Sequence, residues 1–346
     1  MKNTIKVVVA MSGGVDSSVA AALLKDAGYD VIGVTMNLWP GKKDGACCSL
    51  SAVEDARRVA GILDIPYYVL NFKQLFKKTV IDDFISEYDR GRTPNPCVRC
   101  NKFIKFDALL KKARSLGASH IATGHYAKVA RARGRYLLKK GIDPKKDQSY
   151  FLYPLGQDAL SRSIFPIGDL TKKEVRELAK KFNLKVADKE ESQDICFIED
   201  SPGELSKPKK GNIVDLDGNI LGKHKGYQLY TIGQRKGLGL AMKEPSYVVK
   251  IDAKKNELAV GGRGDVFGAE LIAGGLNWIS VKKCPPKMKV KARIRYNSSE
   301  VDAKISPLPR GKVKVTFRQP QFAITPGQSV VFYDGDDVVG GGIIEK

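Results

Sequence analysis

The chain has 346 residues, of which 59 are Lys or Arg and 38 are Asp or Glu, giving a net charge of +21. Such a length predicts two or three domains rather than one. No stretch approaches the roughly 20 apolar residues of a membrane-spanning helix, and the first residues do not read as a signal peptide, so we expect a cytoplasmic protein without a membrane partner. Six unevenly spaced cysteines argue against a framework of structural disulfides.

The N-terminal half alternates apolar strands with helices. The β-branched run at residues 5–10 predicts a strand buried on both faces, followed by a helix over residues 17–28 that Gly28 ends. This order implies a parallel sheet and a doubly wound α/β domain. The further predicted elements are strands at residues 29–36, 65–72 and 119–127, helices at 74–91 and 104–117, and helices that begin at the capping-box pairs Ser51–Glu54 and Thr171–Glu174.

A glycine-rich loop, Ser12–Ser18 (SGGVDSS), joins the first strand to the first helix. Two glycines allow a tight turn, and the amides of the loop and of the helix N-terminus can then surround an anion such as a phosphate. The Walker and dinucleotide patterns are both absent from this segment. A tight turn capped by Asp16 is the structural alternative.

The residue pattern of the sequence changes near residue 200. The segment at residues 199–212 is rich in Pro, Gly and Lys and reads as a linker. Short alternating runs separated by turn residues follow and predict β structure. We expect a catalytic domain over residues 1–200, a small β-rich domain over 201–268 and a C-terminal β-barrel over 269–346.

Basic residues are concentrated between Arg99 and Lys146, where 14 of them accompany only Asp107 and Asp143. Charge alone can be a solubilising surface. Around a candidate active site, however, a basic segment favours a nucleic-acid partner.

Cys97 and Cys100 form a Cys-x-x-Cys motif within TPNPCVRCN. The motif by itself is compatible with a metal site, a disulfide or a reactive thiol. Cys196, in SQDICFI, would alone be read as a small buried side chain, as would Cys47, Cys48 and Cys284.

Seven segments of the sequence resemble those of a known protein family and occur in the same order as in that family. They are AMSGGVDSS, GRTPNPCVRCNKFIKF, ATGHYA, KKDQSYFL, SQDICFI, YTIGQRKGLGL and AITPGQSVVFYDGDDVVGGGII. The whole chain resembles tRNA-specific 2-thiouridylases of the MnmA type, and the glycine loop resembles the PP-loop of ATP pyrophosphatases.

The resemblance implies a reaction and its partners. ATP, with Mg²⁺, would adenylate the C2 oxygen of the wobble uridine in tRNAs for Lys, Glu and Gln, releasing pyrophosphate. A persulfide on Cys196 would then supply sulfur, Cys100 would close a disulfide with Cys196, and AMP would leave. A sulfur relay protein or a cysteine desulfurase would charge Cys196.

The resemblance also assigns site residues by motif. The implied ATP site is Ala10, Met11, Ser12, Gly13, Gly14, Val15, Asp16, Ser17, Met36 and Gly124. The implied target-base segment is Asn95, Pro96 and Cys97. The implied tRNA contacts are His125, Lys146, Asp147, Gln148, Arg295, Tyr296 and Gln328.

Cys97 departs from the family pattern, which has an aspartate in its place. Cys97, Cys100 and Cys196 could instead ligate an iron–sulfur cluster that presents the sulfur, and this alternative stays open in the sequence. The covering SQDIC loop is expected to move on tRNA binding.

Two other functional classes remain. A PP-loop ligase acting on a small molecule would account for the glycine loop but has no need of the basic surface or of Cys196. A non-catalytic RNA-binding protein would account for the charge but has no need of the glycine loop.

Overall fold

The computed structural model describes residues 4–38, 49–190, 196–198, 208–241 and 244–346. The chain divides into two compact units, one made of Met1–Val80, Cys97–Glu199 and Gly335–Val339 and the other of the remainder. Cys47, Cys48, the residues 192–195 that precede Cys196, and most of the predicted linker lie outside the described residues. Over the described ranges, no helix has the length and apolar character needed to cross a membrane.

The elements up to residue 181 are the strands and helices of the predicted α/β domain together with an additional hairpin. In chain order they are β1 Lys6–Ala10, α1 Val15–Asp26, β2 Asp30–Asn37, α2 Leu50–Ile62, β3 Tyr67–Asn71, α3 Lys73–Phe76, a π-helical turn Lys77–Ile81, α4 Asp82–Asp89, α5 Pro96–Cys100, a π-helical stretch Asn101–Ala108, α6 Leu109–Ser115, β4 His120–Thr123, β5 Ala127–Ala132, β6 Arg135–Lys140, α7 Ser149–Leu152, α8 Gln157–Ser161, β7 Ser163–Ile164 and α9 Lys172–Lys181.

The elements beyond residue 208 are strands and short 3₁₀ turns. They are β8 Gly211–Val214, β9 Ile220–His224, a 3₁₀ turn Tyr227–Leu229, β10 Tyr247–Asp252, β11 Glu257–Gly261, a 3₁₀ turn Gly264–Val266, β12 Phe267–Trp278, β13 Met288–Arg293, β14 Val301–Leu308, a 3₁₀ turn Pro309–Gly311, β15 Lys312–Phe322, β16 Ser329–Asp334 and β17 Asp337–Ile344.

The first unit is built on a parallel sheet with strand order β3-β2-β1-β4-β7. Val7, Val8 and Val9 of the central strand β1 have no exposed surface, as expected of a strand covered on both faces. The strand order reverses between β1 and β4, the position where open α/β sheets bind ligands. The predicted α/β fold is therefore confirmed.

The helix boundaries confirm some of the sequence signals and correct others. Thr171 and Glu174 form the predicted capping box of α9, and Gly28 adopts a positive φ just after α1. The predicted cap at Ser51 is wrong, because the hydroxyl of Ser49 accepts the hydrogen bond from the amide of Ala52 at the start of α2. The spacing to Glu54 favoured Ser51, whereas the observed cap, Ser49, has Ala52 three positions later and so forms no capping box.

Two helices predicted as continuous are interrupted. The helix expected at residues 74–91 consists of α3, a π-helical turn and α4, and the one expected at 104–117 begins as a π-helical stretch at Asn101. The strand expected at 119–127 ends at Thr123, and the antiparallel hairpin β5–β6 that follows was not predicted. Local periodicity does not distinguish an α turn from a π turn.

The second unit is mainly β structure, as the sequence predicts. One sheet has strand order β10-β11-β8-β9 and encloses an apolar core that includes Ile213, Val248 and Leu258. The other follows the order β12-β15-β14-β13-β16-β17, and β12 pairs again with residues 340–344 of β17. That pairing closes a six-stranded barrel.

We predict that Thr171→Ala will loosen helix α9, since the hydroxyl accepts the hydrogen bond from the Glu174 amide at 3.3 Å. Loss of such a cap costs about 1 kcal/mol, which corresponds to roughly fivefold faster amide hydrogen exchange within α9. The exposed Lys173→Ala in the same turn is the control. Equal exchange rates in both variants would contradict the assignment.

Candidate active site

The glycine loop lies at the carboxyl end of β1, beside the end of β4. Ala10 pairs in register with Val34 of β2 and with Thr123 of β4, so the loop and the segment after Thr123 leave the sheet at the same edge. The hydroxyls of Ser17 and Ser18 both donate to the Gly14 carbonyl, at 3.1 and 2.8 Å. The loop is therefore fixed by its own side chains.

The backbone N–H groups at the N-terminus of α1 point away from the body of the helix. Gly14 is the N-cap residue, and in the part of the chain that the structure describes no side chain caps this turn. An uncapped N-terminus of a 12-residue helix presents amides and a positive dipole end to an anion. The anion nest expected from the sequence stays a prediction, and this geometry is compatible with it.

Two glycines are required by close approach at this site. Gly13 has φ +71°, and a Cβ there would lie 2.2 Å from the Ala52 carbonyl oxygen. A Cβ on Gly124 would lie 2.6 Å from the backbone of Asp16 and Ser17. The end of β4 is thus packed directly on the first turn of α1.

Asp16 is the centre of a polar network. Its Oδ1 accepts hydrogen bonds from the Tyr126 hydroxyl at 2.8 Å and from Lys172 Nζ at 2.8 Å, and its Oδ2 lies 2.9 Å from the same Nζ. Only 13% of the Lys172 side chain is exposed, so this ion pair is screened less than a surface pair. The network fixes the carboxylate at the helix N-terminus.

A cavity of about 310 Å³ opens over this network. It contains most of the predicted ATP-site residues, with basic and polar side chains at its margin. Its wall includes Ala10, Met11, Ser12, Gly14, Val15, Asp16, Ser17, Met36, Leu38, Ala52, Lys105, Thr123, Gly124, His125, Gln148, Lys189 and Glu190.

His125 lies in the wall of this cavity. Its Nδ1 is 2.7 Å from the hydroxyl of Thr123, and its ring contacts those of Phe106 and Phe165. Burial, and to a smaller extent the charge of Lys105, hold the pKa of His125 well below its usual value of 6.5. The imidazole is therefore neutral at physiological pH.

Some of the other residues of the first unit that are expected to contact tRNA make hydrogen bonds within the protein. Asp147 is buried and accepts hydrogen bonds from the amides of Gly141 and Ser149 and from the Ser149 hydroxyl. Gln148 accepts from the Tyr126 amide and lines the cavity. Lys146 is half-buried.

The predicted tRNA residues of the second unit also make internal contacts. Arg295 donates to the carbonyls of Ile232 and Ala323 and to the Thr325 hydroxyl. Gln328 donates to the Thr93 carbonyl at 2.8 Å. Tyr296 lies under the Arg293 guanidinium, with 5.8 Å between the guanidinium carbon and the ring centroid.

The three candidate cysteines have different environments. Cys97 is exposed, Cys100 is buried and Cys196 is half-buried. Phe197, next to Cys196, packs edge-to-face against Phe76, with ring centroids 5.6 Å apart. Asn95 is half-buried, and Pro96 is buried at the start of α5.

Two basic residues flank Cys100 in the sequence, and both lie near an aromatic ring. Arg99 and Lys102 lie 5.1 and 5.3 Å from the ring centroid of Phe103. Burial, followed by the charge of Arg99, lowers the pKa of Lys102.

The side chains present in this region indicate which metal ion or cluster it could bind. Cys97, Cys100 and Cys196 are all described, yet in the described ranges no three His, Cys, Asp or Glu side chains are grouped as metal ligands. The cysteines as arranged here do not fit an iron–sulfur cluster. Asp16 does fit Mg²⁺ bound to a nucleotide, because such sites need only one or two carboxylates besides the phosphates.

Sequence reasoning missed four residues of this site: Tyr126, Lys172, Lys189 and Asp55. The two lysines belong to a chain with 59 basic side chains, and no motif distinguishes them from the others. Tyr126 stands in ATGHYA and could have been selected by its place after β4. No sequence motif marks Asp55 as a residue of the site.

Family models cover nearly the whole chain. Residues 5–200 match the tRNA methyl transferase HUP domain, residues 203–262 the tRNA methyl transferase PRC-barrel domain, and residues 269–344 the aminomethyltransferase β-barrel domain. Together with the phosphate-loop geometry, the first of these matches defines a nucleotide-binding α/β protein with two appended β domains.

Curated relatives narrow this class to one family. The chain is 56% identical to tRNA-specific 2-thiouridylase MnmA 1 of Thermoanaerobacter sp. (strain X514), over 100% of this chain and 99% of that protein. It is 54% identical to tRNA-specific 2-thiouridylase MnmA of Clostridium beijerinckii, over 99% of each. The chain belongs to the tRNA-specific 2-thiouridylase family.

A solved structure is similar to part of the chain. It is a 4-thiouridine synthetase–RNA complex with bound ATP, 20% identical, with a TM-score of 0.39 over 56% of this chain and 44% of that one. The methyl transferase wording of the domain models differs from the names of the full-length relatives. The relatives decide the family, because they match at high identity over the whole length.

We predict that Gly124→Ala will weaken binding of a nucleotide by at least about tenfold, because its Cβ would displace the first turn of α1. Titration calorimetry with ATP measures this. Gly61→Ala, where a Cβ would meet nothing within 4 Å, is the matched control and should bind as the wild type does. Equal affinity of both variants would contradict the packing described here.

We also predict a pH-dependent stability term from His125. Its pKa in the folded state lies below the unfolded value of 6.5, so the unfolded chain takes up a proton first as the pH falls. The folded state therefore loses stability below about pH 6.5, by up to about 1.4 kcal/mol per pH unit.

The His125→Gln variant should lack this term. Its stability deficit relative to the wild type should shrink between pH 7.5 and pH 5.5, as followed by thermal unfolding. His120→Gln, at a partly exposed histidine, should show a much smaller change. A deficit for His125→Gln that is constant with pH would refute the assignment.

Proposed function

We propose that this protein is an ATP-dependent tRNA-uridine 2-sulfurtransferase that modifies the wobble uridine of tRNAs for Lys, Glu and Gln. The proposal depends chiefly on one observation: residues of the glycine loop, Asp16 and Gly124 line a single cavity at the switch point of the sheet. The relatives named tRNA-specific 2-thiouridylase supply the substrate class.

The first step activates the uridine. The C2 oxygen attacks the α-phosphorus of ATP, the bond to the β-phosphate breaks, and pyrophosphate leaves. The amides of the first turn of α1 hold the phosphates and receive the developing negative charge. Asp16 would hold Mg²⁺ together with phosphate oxygens, and the bound ion would offset the charge of the departing pyrophosphate.

The second step delivers sulfur. The Cys100 thiolate attacks the inner sulfur of a persulfide on Cys196, so the two cysteines form a disulfide and hydrosulfide is released. Hydrosulfide adds to C2, and AMP leaves with the former C2 oxygen. The step requires Cα atoms about 4.4 to 6.8 Å apart when the disulfide forms.

The cycle needs two further reactants. A dithiol reductant must return Cys100 and Cys196 to thiols, and a persulfide donor, either a relay protein or a cysteine desulfurase, must recharge Cys196. The half-buried position of Cys196 supports access by such a donor. Buried Cys100 fits the role of a partner thiol that is protected from oxidants.

The β5–β6 hairpin supports an RNA partner. Arg131 and Arg133 are exposed near its turn, and Arg131 lies 5.8 Å from the ring centroid of Tyr136. A basic hairpin of this kind suits sequence-independent contacts with phosphates. Sequence-specific recognition of the everted uridine would fall to the Asn95–Cys97 segment, and contacts with the anticodon region to Lys146, Arg295, Tyr296 and Gln328.

A PP-loop ligase for a small molecule is the competing function. The same cavity would serve it, since adenylation of a carbonyl oxygen uses the same phosphate contacts. Pyrophosphate release separates the two functions, because only the sulfurtransferase should require tRNA for release.

We predict that Cys196→Ser will abolish formation of 2-thiouridine while pyrophosphate release stimulated by tRNA persists, because adenylation precedes sulfur transfer. Mass spectrometry of digested tRNA, after incubation with ATP and a persulfide donor, measures the first quantity. Cys284→Ser is the matched control, since this half-buried thiol donates to the neighbouring Pro285 carbonyl. Full thiolation by Cys196→Ser would overturn the sulfur-transfer step.

The Cys97→Ser variant tests the chemistry of Cys97. Under persulfide transfer it should keep most of the thiolation activity, because Cys97 does not carry sulfur. Complete loss, together with iron in protein purified without oxygen, would favour the iron–sulfur alternative over the arrangement of cysteines seen here.

A further inference from the structure

Lys189 contacts the glycine loop, 176 positions along the chain from Gly13. Its Nζ lies 3.2 Å from the Gly13 carbonyl oxygen and 2.6 Å from Asp55 Oδ2. It lines the same cavity as the loop amides and Asp16. None of the motifs of the sequence marked this residue.

The backbone at Lys189 is fixed by a second basic residue. Arg176, on α9, donates to the Ala187 carbonyl at 2.5 Å and to the Lys189 carbonyl at 3.3 Å. The Lys189 amide in turn donates to the Val186 carbonyl at 3.1 Å. The ammonium group is thus held at a definite place rather than carried on a loose surface side chain.

The contact with Gly13 changes the chemistry of the loop. A carbonyl oxygen in a phosphate loop repels an incoming phosphate oxygen, whereas an ammonium placed over that carbonyl attracts it. An ammonium has three N–H donors, and within the described ranges the Gly13 and Asp55 contacts use two of them. The third remains for a ligand in the cavity.

We propose that Lys189 is a phosphate-binding residue of this site, contacting the triphosphate of the nucleotide while Asp55 positions its ammonium group. This inference rests on the proposed function, in that the nucleotide must bind at the glycine loop.

Calorimetric titration of the full-length protein tests the inference with two probes: α,β-methylene ATP, which cannot be cleaved between the α and β phosphates, and adenosine, which has no phosphate. Lys189→Ala should weaken binding of the triphosphate by roughly 10- to 100-fold, as expected for a charge-assisted hydrogen bond, and leave adenosine binding unchanged. Lys189→Arg should keep triphosphate binding within about threefold of the wild type.

Lys185→Ala, at an exposed lysine four residues earlier, is the matched control and should bind both probes normally. Circular dichroism of each variant establishes folding, and Lys189→Met replaces the alanine variant if that one unfolds. Wild-type binding of the triphosphate combined with equal binding by Lys189→Ala would overturn this inference alone, and so would an equal loss of adenosine binding. Failure of the wild type to bind the triphosphate would overturn the proposed function with it.

Discussion

The in-register pairing of β1 with β4 is the constraint on which the site depends. Because Ala10 lies beside Thr123, the two segments that follow them leave the sheet together, and Gly124 packs against the first turn of α1. The parallel arrangement also directs the amides of that turn toward the same side as His125. A single hydrogen-bonding register therefore assembles the candidate phosphate site from segments more than a hundred residues apart.

The carboxylates at this site are paired with lysines before any ligand binds. Lys172 neutralises Asp16, and Lys189 neutralises Asp55, so neither carboxylate opposes a polyphosphate at full strength. The neutral imidazole of His125 adds no charge to the apolar side of the cavity. A nucleotide can thus bind without first desolvating an uncompensated anion, which would cost several kcal/mol in a low-dielectric site.

The sulfur chemistry imposes a different requirement, which is control of access. A thiol that resolves a persulfide benefits from burial, and a thiol that is recharged by another protein must be reachable. Cys100 and Cys196 differ in this sense, and the Phe76–Phe197 contact anchors the chain directly after Cys196. The buried position of Cys100 and the half-buried position of Cys196 therefore suit the different roles that the proposed mechanism gives them.

The sequence by itself determined the features that depend on neighbouring residues. These are the strand–loop–helix around SGGVDSS, the capping box of α9 and the β texture beyond residue 200, because turns, caps and alternation are set within a few positions. Only the tertiary structure decided that Lys172 meets Asp16, 156 positions away, and that Lys189 meets Gly13. It also decided that His125 is buried. Such contacts depend on how distant elements pack, and no local pattern in a chain with 59 basic residues marks which lysines will take part.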